Sequence, residues 1–254
     1  MIKVGTCGWS VKGGRKKYFE KFKVIEIQQT FYNLPMVKTA QKWRAEAPED
    51  FEFTLKVWQV ITHPHTSPSW RRLRKKPPGK LENYGFLKPT RENFEAWEKF
   101  KEIANSLNAK IVIFQTPPSF GYNRENYNNI IEFFTKIKDD SLVIGWEPRG
   151  SWNNALDKVK EIVEDLGIIH VVDPFRRLPV SSHPITYFRL HGIGKGEVNY
   201  RYKYSDDDLE KLLKICLNFT SKGHIVYVMF NNVYMAEDAL KFKQLAKERD
   251  VKVI

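Results

Sequence analysis

Eight short β-rich runs recur along the chain, and helical patterns separate most of them. The runs are IKVGT from Ile2, VIEIQ from Val24, FEFTLKV from Phe51, KIVIFQ from Lys110, LVIGWE from Leu142, IIHVVD from Ile168, ITYFRLH from Ile185 and IVYVMFN from Ile225. Strands that alternate with helices form parallel sheets, because each helix returns the chain to the start of the next strand. Eight such repeats in 254 residues predict a (β/α)8, TIM-barrel-like α/β fold rather than an open doubly wound sheet.

The helical segments repeat apolar residues at the spacing of an amphipathic helix. They are predicted at residues 38–47, 91–108, 124–137, 154–166, 206–220 and 236–248. The first connection has only a short helical candidate around Tyr18, and residues 174–184, after the sixth strand, have none. Residues 59–90 are too long for an ordinary connection and are predicted to form a long basic inserted loop. No linker divides the chain, so we expect one domain over residues 1–254.

Composition limits the class of protein. Hydrophobic residues make up 42% of the chain and aromatic residues 14%, enough for a sizeable core. No run approaches the roughly 18 apolar residues that a membrane helix needs, and the beginning, MIKVGTCGWS, lacks a signal-peptide pattern. Cys7 and Cys216 form neither a metal-ligand spacing nor a disulfide framework. We therefore expect no membrane partner and a cytoplasmic location.

The formal net charge of +12 favours polyanionic partners, although a lysine-rich composition alone can produce such an excess. The densest basic cluster, WRRLRKKPPGK at residues 70–80, contains prolines and a glycine that indicate a loop. It is either a solvated loop or a contact for a polyanion such as nucleic acid. NYRYKY, at residues 199–204, alternates aromatic and basic residues and leaves the same two interpretations open.

The two-residue period of the strands separates an apolar face from a polar face. In ITYFRLH, for example, Phe188 and Leu190 share the face that we expect to pack against helices, and Arg189 lies on the other. The polar set lies near the C-terminal ends of the strands, where barrel enzymes place their sites. It comprises Glu26, Gln28, Lys56, Gln115, Glu147, Arg149, Asp173, Arg189, His191 and Asn231.

Salt bridges inside the barrel are the alternative interpretation of these charges. Burying an ion costs several kcal/mol before pairing returns some of it, and an apolar filling would often serve stability equally well. We therefore favour a binding or catalytic use for the set.

Several motifs, in order over nearly the full chain, resemble the DUF72 (YecE-like) family. They are GTCGWS at 5–10, VIEIQQTFYNLP at 24–35, FTLKVWQVITHP at 53–64, FQTPPSF at 114–120, GWEPRGSW at 145–152, YFRLHG at 187–192 and VMFNN at 228–232. The resemblance implies a TIM-barrel-like fold but no reaction, because the family has no established general function. Trp146 and Gly150 stand where the family usually has phenylalanine and histidine, whereas Glu147 and Arg149 remain.

Glu26 and Glu147 are the candidate catalytic carboxylates. Two carboxylates in one cavity can act as general acid and general base, or can jointly coordinate a divalent cation. Asp173 and His191 extend the second possibility, and His191 can also transfer a proton. No HExxH pattern accompanies them, so the metal signal is weak, and nothing in the sequence indicates an organic cofactor.

Cationic side chains in the same set indicate an anionic substrate. Arg149, Arg189 and Lys56 are predicted to bind it, because a planar guanidinium can hold two oxygens of a phosphate or carboxylate. The loop HGIGKGE, at residues 191–197, could present backbone N–H groups to an anion, or could be an ordinary surface loop.

Further residues complete the predicted substrate site. They are Trp9 in the first strand-end loop, His63 in the long third loop, Gln115 after the fourth strand and Asn231 after the eighth. His63 is alternatively a structural loop histidine. Covalent catalysis by Cys7 is a minor alternative, because a thiol nucleophile needs an activating base.

The sequence therefore predicts an enzyme with a polar, anionic substrate, for which we favour phosphoester hydrolysis with nucleic acid as the polyanion. A sugar isomerase or hydrolase is the nearest enzymatic alternative. A non-catalytic nucleic-acid-binding module, with a purely structural polar ring, is the alternative from a different class. The oligomeric state is left open.

Overall fold

A computed structural model describes residues 1–139 and 141–254. Its strands lie close to the positions that the sequence predicts. They are β1 (Ile2–Cys7), β2 (Val24–Ile27), β3 (Glu52–Lys56), β4 (Ile111–Gln115), β5 (Val143–Glu147), β6 (Ile169–His170), β7 (Ile185–Leu190) and β8 (Ile225–Phe230).

Helices separate most of the strands. They are α1 (Gly14–Lys21), α2 (Gln29–Tyr32), α3 (Val37–Glu46), α4 (Gln59–Thr62), α5 (Arg91–Ser106), α6 (Arg124–Ile137), α7 (Leu156–Leu166), α8 (Asp206–Thr220) and α9 (Met235–Glu248). Short 3₁₀ helices span Pro68–Arg72, Leu81–Asn83 and Gly150–Asn154. Within the described ranges, none of the helices combines the length and apolarity that a membrane crossing requires.

The strands form one sheet in the order β6-β5-β4-β3-β2-β1-β8-β7. The pairs are parallel, as in β1 with β8 and β4 with β5. An isolated parallel bridge joins Val172, after β6, to Phe188 of β7. Sequential parallel strands with intervening helices confirm the predicted TIM-barrel-like α/β fold.

Two connections depart from a regular β/α repeat, and the sequence indicated both. Between β6 and β7 the described residues contain no helix, as expected for residues 174–184. The loop after β3 contains α4 and two 3₁₀ helices, so it is partly ordered into short helical turns. Strand β6 is shorter than its apolar run predicted, because after His170 only Val172 forms a bridge.

Capping residues explain several helix starts. The Ser205 side chain accepts the backbone N–H of Asp208 at 3.2 Å, and the Asp208 side chain accepts that of Ser205, which forms a capping box before α8. Thr90 and Asn123 cap α5 and α6 with their side-chain oxygens. These caps fix helix starts near the positions that the sequence pattern predicts.

The chain divides into two compact units. Unit 1 comprises Met1–Glu26, Ala47–Glu52 and His170–Ile254. In its core, Phe188 packs edge-on against Phe219 of α8 at 5.7 Å, and Phe230 packs against Phe242 of α9 at 6.1 Å. The apolar faces of β7 and β8 therefore contact helices, as their two-residue period predicts.

Unit 2 comprises Ile27–Glu46 and Phe53–Ile169. Phe114 of β4 contacts Trp97 of α5 at 5.6 Å and Phe134 of α6 at 4.9 Å. This aromatic cluster orients the alternate residues of β4, including Gln115, toward the other face of the sheet. The one-domain organisation expected from the sequence stays a prediction.

Candidate functional site

In unit 1, Glu26 and Arg189 form a completely buried ion pair, with both side chains 0% exposed. The guanidinium donates from Nη2 to Oε1 of Glu26 at 2.8 Å and from Nε to Oε2 at 3.0 Å. The hydroxyl of Tyr187 donates to Oε2 at 3.0 Å. We call Glu26, Arg189 and Tyr187 the sealed ion pair.

Three donors satisfy the Glu26 carboxylate in the sealed ion pair. Two parallel N–H bonds give the geometry in which arginine and carboxylate interact most strongly. Complete burial, together with these three bonds, keeps the Glu26 carboxylate away from solvent and substrate. Tyr187 was not among the predicted site residues, although it shares the face of β7 that carries Arg189.

Asp173, His191 and Asn231 also lie together in unit 1. Asp173 accepts the backbone N–H of His191 at 2.9 Å and that of Phe175 at 3.0 Å. The amide Nδ2 of Asn231 lies 3.1 Å from Nδ1 of His191. An amide nitrogen only donates, so in this contact Nδ1 of His191 is the acceptor. Asp173 thus supports the backbone at the end of β7.

The glycine-rich loop that follows β7, residues 191–197, is held by hydrogen bonds to neighbouring segments of the protein. Gly192 has φ 84°, and a Cβ there would lie 2.1 Å from the carbonyl oxygen of Asn199, so this position requires glycine. Its N–H donates to the hydroxyl of Tyr204 at 2.9 Å, and its carbonyl accepts from Arg176 at 2.8 Å. The N–H of Gly192 therefore already has a partner within the protein.

In unit 2, four predicted residues lie at the C-terminal ends of three neighbouring strands. Lys56 ends β3, Gln115 ends β4, Glu147 ends β5, and Arg149 follows two residues later. Gln115 is paired in register with Glu147, and Nζ of Lys56 donates to Oε1 of Gln115 at 3.0 Å. Arg149 donates from Nη2 to Oε1 of Glu147. We call these residues the strand-end cluster.

The strand-end cluster is buried but not sealed. The side chains of Arg149 and Glu147 are 6% and 4% exposed. Nζ of Lys56 lies 4.0 Å from the centroid of the Phe31 ring, a cation–π contact that lowers the cost of burying the ammonium group. The cluster therefore combines two cations, one carboxylate and one amide at the strand ends where barrel enzymes place their sites.

Gly150 explains one departure from the family pattern. It has φ 66°, and a Cβ at this position would lie 2.4 Å from the carbonyl oxygen of Pro118. The chain after Arg149 therefore approaches the loop after β4 too closely for any side chain. A histidine at position 150 would require the backbone to move.

His63 is a neutral, buried member of the long third loop. Its Nδ1 lies 2.8 Å from Oγ1 of Thr62, and its ring packs edge-on against Phe31 at 5.0 Å. Burial, together with the nearby charge of Lys56, lowers the pKa of His63 to about 3. His63 is therefore uncharged near neutral pH and cannot serve there as a charged anion ligand.

The basic segment, residues 70–80, is anchored at both ends. Trp70 is buried, and its Nε1–H donates to the carbonyl of His63 at 3.0 Å. Pro77 is buried, and the hydroxyl of Tyr84 donates to the carbonyl of Pro78 at 2.6 Å. The cationic residues between the anchors are exposed: Arg71, Arg72, Arg74, Lys75 and Lys76. The segment thus presents a fixed cationic surface.

Trp9 packs against a neighbouring helix, and both cysteines are buried. The ring of Trp9 packs edge-on against Tyr18 at 5.2 Å and Phe19 at 5.7 Å, both on α1. Cys7 and Cys216 are buried and, among the described residues, form no disulfide. Burial raises the pKa of the Cys216 thiol.

Across residues 1–139 and 141–254, no three His, Cys, Asp or Glu side chains form a group suited to holding a metal ion. The divalent-metal site over Glu26, Glu147, Asp173 and His191 stays a prediction.

Comparisons with known proteins agree with this architecture. The chain is 24% identical to the UPF0759 protein YunF of Bacillus subtilis (strain 168), over 99% of this chain and 95% of that protein. A crystal structure of a DUF72 family protein from Enterococcus faecalis V583 superposes with a TM-score of 0.73 at 20% identity, covering 97% of this chain and 98% of the other.

A DUF72 family protein from Thermotoga maritima MSB8 gives a TM-score of 0.70 at 24% identity, covering 97% and 99% of the two chains. Both structures support the fold. The model of the family described as "Protein of unknown function DUF72" matches residues 3–253. The chain therefore belongs to the DUF72 family.

Proposed function

We propose that this protein is an enzyme that hydrolyses a phosphoester in a polyanionic substrate, with its chemistry at the strand-end cluster. The observation that carries the proposal is the convergence of Lys56, Gln115, Glu147 and Arg149 at the ends of β3, β4 and β5. Two cations beside one carboxylate provide both a site for a phosphate and a base for water.

The pairing of Glu147 with Arg149 suits a coupled role. When a phosphate oxygen takes a guanidinium N–H of Arg149, the carboxylate of Glu147 loses that hydrogen bond and becomes a stronger base. Water then attacks phosphorus, Glu147 accepts its proton, and the leaving alkoxide takes a proton from solvent. Lys56 stabilises the charge that develops on the phosphoryl oxygens, and the Gln115 amide orients the substrate.

The basic segment supports a polyanion as the substrate. It lies in the loop that follows β3, and β3 is the strand that supplies Lys56. Its exposed cations attract a phosphate backbone by a sequence-independent, salt-sensitive force.

The direct test compares the wild type with Glu147→Gln on a chromogenic phosphodiester and on labelled DNA and RNA, with and without Mg²⁺, Mn²⁺ or Zn²⁺. We expect the variant to lose at least about a hundredfold in turnover, because the amide cannot accept the proton of water. Glu125→Gln, which neutralises an exposed carboxylate on α6, is the control and should remain active. Equal turnover by wild type and Glu147→Gln would refute the proposal.

A non-catalytic nucleic-acid-binding module is the second candidate. The observation that favours it is that Glu26 and Glu147 are both ion-paired with arginine, as expected for structural charges. In that case the wild type would bind nucleic acid without turnover under any of these conditions. Glu147→Gln would then leave affinity unchanged.

A further inference from the structure

Two cavities in unit 2 lie side by side along the basic segment. One measures about 490 Å³ and the other about 480 Å³, and Asn33, Leu34 and Arg74 line both. We call the two together the α2 groove, because Asn33 and Leu34, which line both cavities, directly follow α2. It is formed by residues that do not belong to the strand-end cluster.

The walls of the α2 groove are cationic. Its basic lining residues are Arg72, Arg74, Lys75, Lys76 and Lys99. Among the described residues that line either cavity there is no aspartate or glutamate. A ligand in the groove therefore meets positive charge from several directions and gains by carrying more than one negative charge.

Hydrogen bonds hold the backbone at two of these basic residues, Arg72 and Arg74, before any ligand binds. Nδ2 of Asn33 donates to the carbonyl of Arg72 at 2.9 Å, and Oδ1 accepts the N–H of Arg74 at 2.8 Å. The guanidinium of Arg72 lies 3.6 Å from the centroid of the Tyr32 ring. A wall held in place loses less conformational entropy on binding than a mobile loop would.

The floor of the groove is apolar and aromatic. Leu34 lines both cavities, Trp43 lines the first and Trp58 the second. Met36 lines the first cavity and is 75% exposed, which is unusual for a large apolar side chain. Trp58 is 9% exposed, and its indole N–H has no hydrogen-bond partner among the described residues. The floor thus offers apolar contacts beside the charges, and the Trp58 indole N–H is buried beneath them.

We infer that the α2 groove binds single-stranded nucleic acid, with bases against the apolar floor and phosphates against the cationic walls. Base faces can reach such a floor only when they are unstacked, which excludes an intact duplex. A base-free polyanion would use only the walls. The inference rests on the polyanionic substrate of the proposed function but does not depend on hydrolysis.

The test measures fluorescence anisotropy of labelled oligo(dT) and oligo(U), each roughly 12 nucleotides long, a length within the range that single-strand sites occupy. A duplex of the same length, polyphosphate and phosphatidylserine vesicles serve as competitors. We expect both single strands to bind at least about tenfold more tightly than the duplex, and the ratio of the two affinities identifies RNA or DNA as the better ligand. Equal or tighter binding of duplex, or full displacement by vesicles, would overturn the inference.

Two variants distinguish the contribution of the cationic walls to binding affinity from that of the apolar floor. The triple substitution Arg74→Gln, Lys75→Gln, Lys76→Gln should lower affinity about a hundredfold and reduce the slope of log affinity against log salt by about 2. Its control removes three exposed lysines that do not line the groove, through Lys12→Gln, Lys160→Gln and Lys214→Gln, and should change affinity by less than about threefold. Equal losses in both triples would overturn the inference.

Leu34→Asn changes the floor without changing charge. We expect about a fivefold loss of affinity for single strands and no loss for polyphosphate. Equal losses for both ligands would refute contact between bases and the floor. Binding that persists in Glu147→Gln while no variant hydrolyses any substrate would leave this inference intact and refute the proposed hydrolase.

Discussion

The sealed ion pair and the strand-end cluster each set an arginine against a glutamate, yet they differ in how completely the charges are satisfied. In the sealed ion pair, residues from two distant strands meet, both side chains are 0% exposed, and three donors occupy the carboxylate. In the strand-end cluster, Glu147 and Arg149 belong to one short stretch of chain and retain 4% and 6% exposure.

This difference indicates that the sealed ion pair contributes to stability, whereas the strand-end cluster is suited to binding and chemistry. A completely buried pair resists substrate, because a new partner must first displace the side chains that cover it. A pair with slight solvent access, a neighbouring ammonium group and an amide can exchange partners. Functional experiments should therefore target the strand-end cluster, and stability experiments the sealed ion pair.

The largest expected effect on stability follows from Arg189→Met. This change removes two guanidinium N–H donors from the completely buried Glu26 carboxylate, and breaking a buried pair in this way typically costs about 3–5 kcal/mol. We expect urea unfolding to show a loss of that size.

The control for Arg189→Met is the double variant Glu26→Gln, Arg189→Met. Removing the carboxylate charge as well should recover part of the lost stability, because no uncompensated ion remains. If the double variant is no more stable than the single one, burial of an unpaired charge is not the cause.

Arg149→Met should destabilise the protein less, by about 1–3 kcal/mol. Glu147 and Arg149 are two residues apart, so part of their attraction persists in the unfolded chain. The same substitution should abolish turnover, because it removes the guanidinium that would hold the phosphate. Urea unfolding and the phosphodiester assay check both expectations. A stability loss as large as that of Arg189→Met would remove the distinction between the two pairs.

Tyr187→Phe tests the third donor of the sealed ion pair. Losing a hydrogen bond to a buried carboxylate should cost about 2 kcal/mol of unfolding free energy. Tyr227→Phe is a matched control, because the two rings stack at 5.5 Å and the Tyr227 hydroxyl also donates to a carboxylate, that of Glu52. Glu52 is 37% exposed, so water can replace the donor. A loss from Tyr227→Phe equal to that from Tyr187→Phe would contradict this account.

The sequence predicts the fold well, because strand period and helix spacing are local. The alternation of β7 placed Arg189 and Phe188 on opposite faces, and Phe188 does pack against α8. The start of α6 at Arg124 was also predicted, from the spacing of apolar residues, and the Asn123 cap beside it is equally local.

The pairing of polar residues could not be predicted in the same way. Glu26 and Arg189 are 163 positions apart, and alternation gives the face of each residue but not its partner. The sequence likewise marked the basic segment by composition alone. Its position depends on the anchors at its two ends and also on two hydrogen bonds of the Asn33 side chain. No charge or period distinguishes Asn33 in the sequence.

The last expected effect concerns pH, at His63 in the loop that follows β3, and it is similar in size to that of Tyr187→Phe. Because His63 has a pKa of about 3 in the folded protein and near 6.5 when unfolded, only the unfolded chain takes up its proton as pH falls below 6.5. The contribution of His63 to the free energy of unfolding is therefore fully present above pH 6.5. Below that pH it declines by up to about 1.4 kcal/mol per pH unit. Urea unfolding at pH 7.5 and pH 5 should show a loss of about 2 kcal/mol from His63 alone.

His63→Asn provides the comparison that isolates this effect. The substitution changes stability at every pH, so the informative quantity is the difference between its pH dependence and that of the wild type. Asparagine does not titrate, and the variant should therefore lose about 2 kcal/mol less between pH 7.5 and pH 5. Parallel curves would mean that His63 can be protonated in the folded protein. Lys56, whose charge helps to keep the ring neutral, would then be screened by solvent, and the strand-end cluster would be more open than its burial indicates.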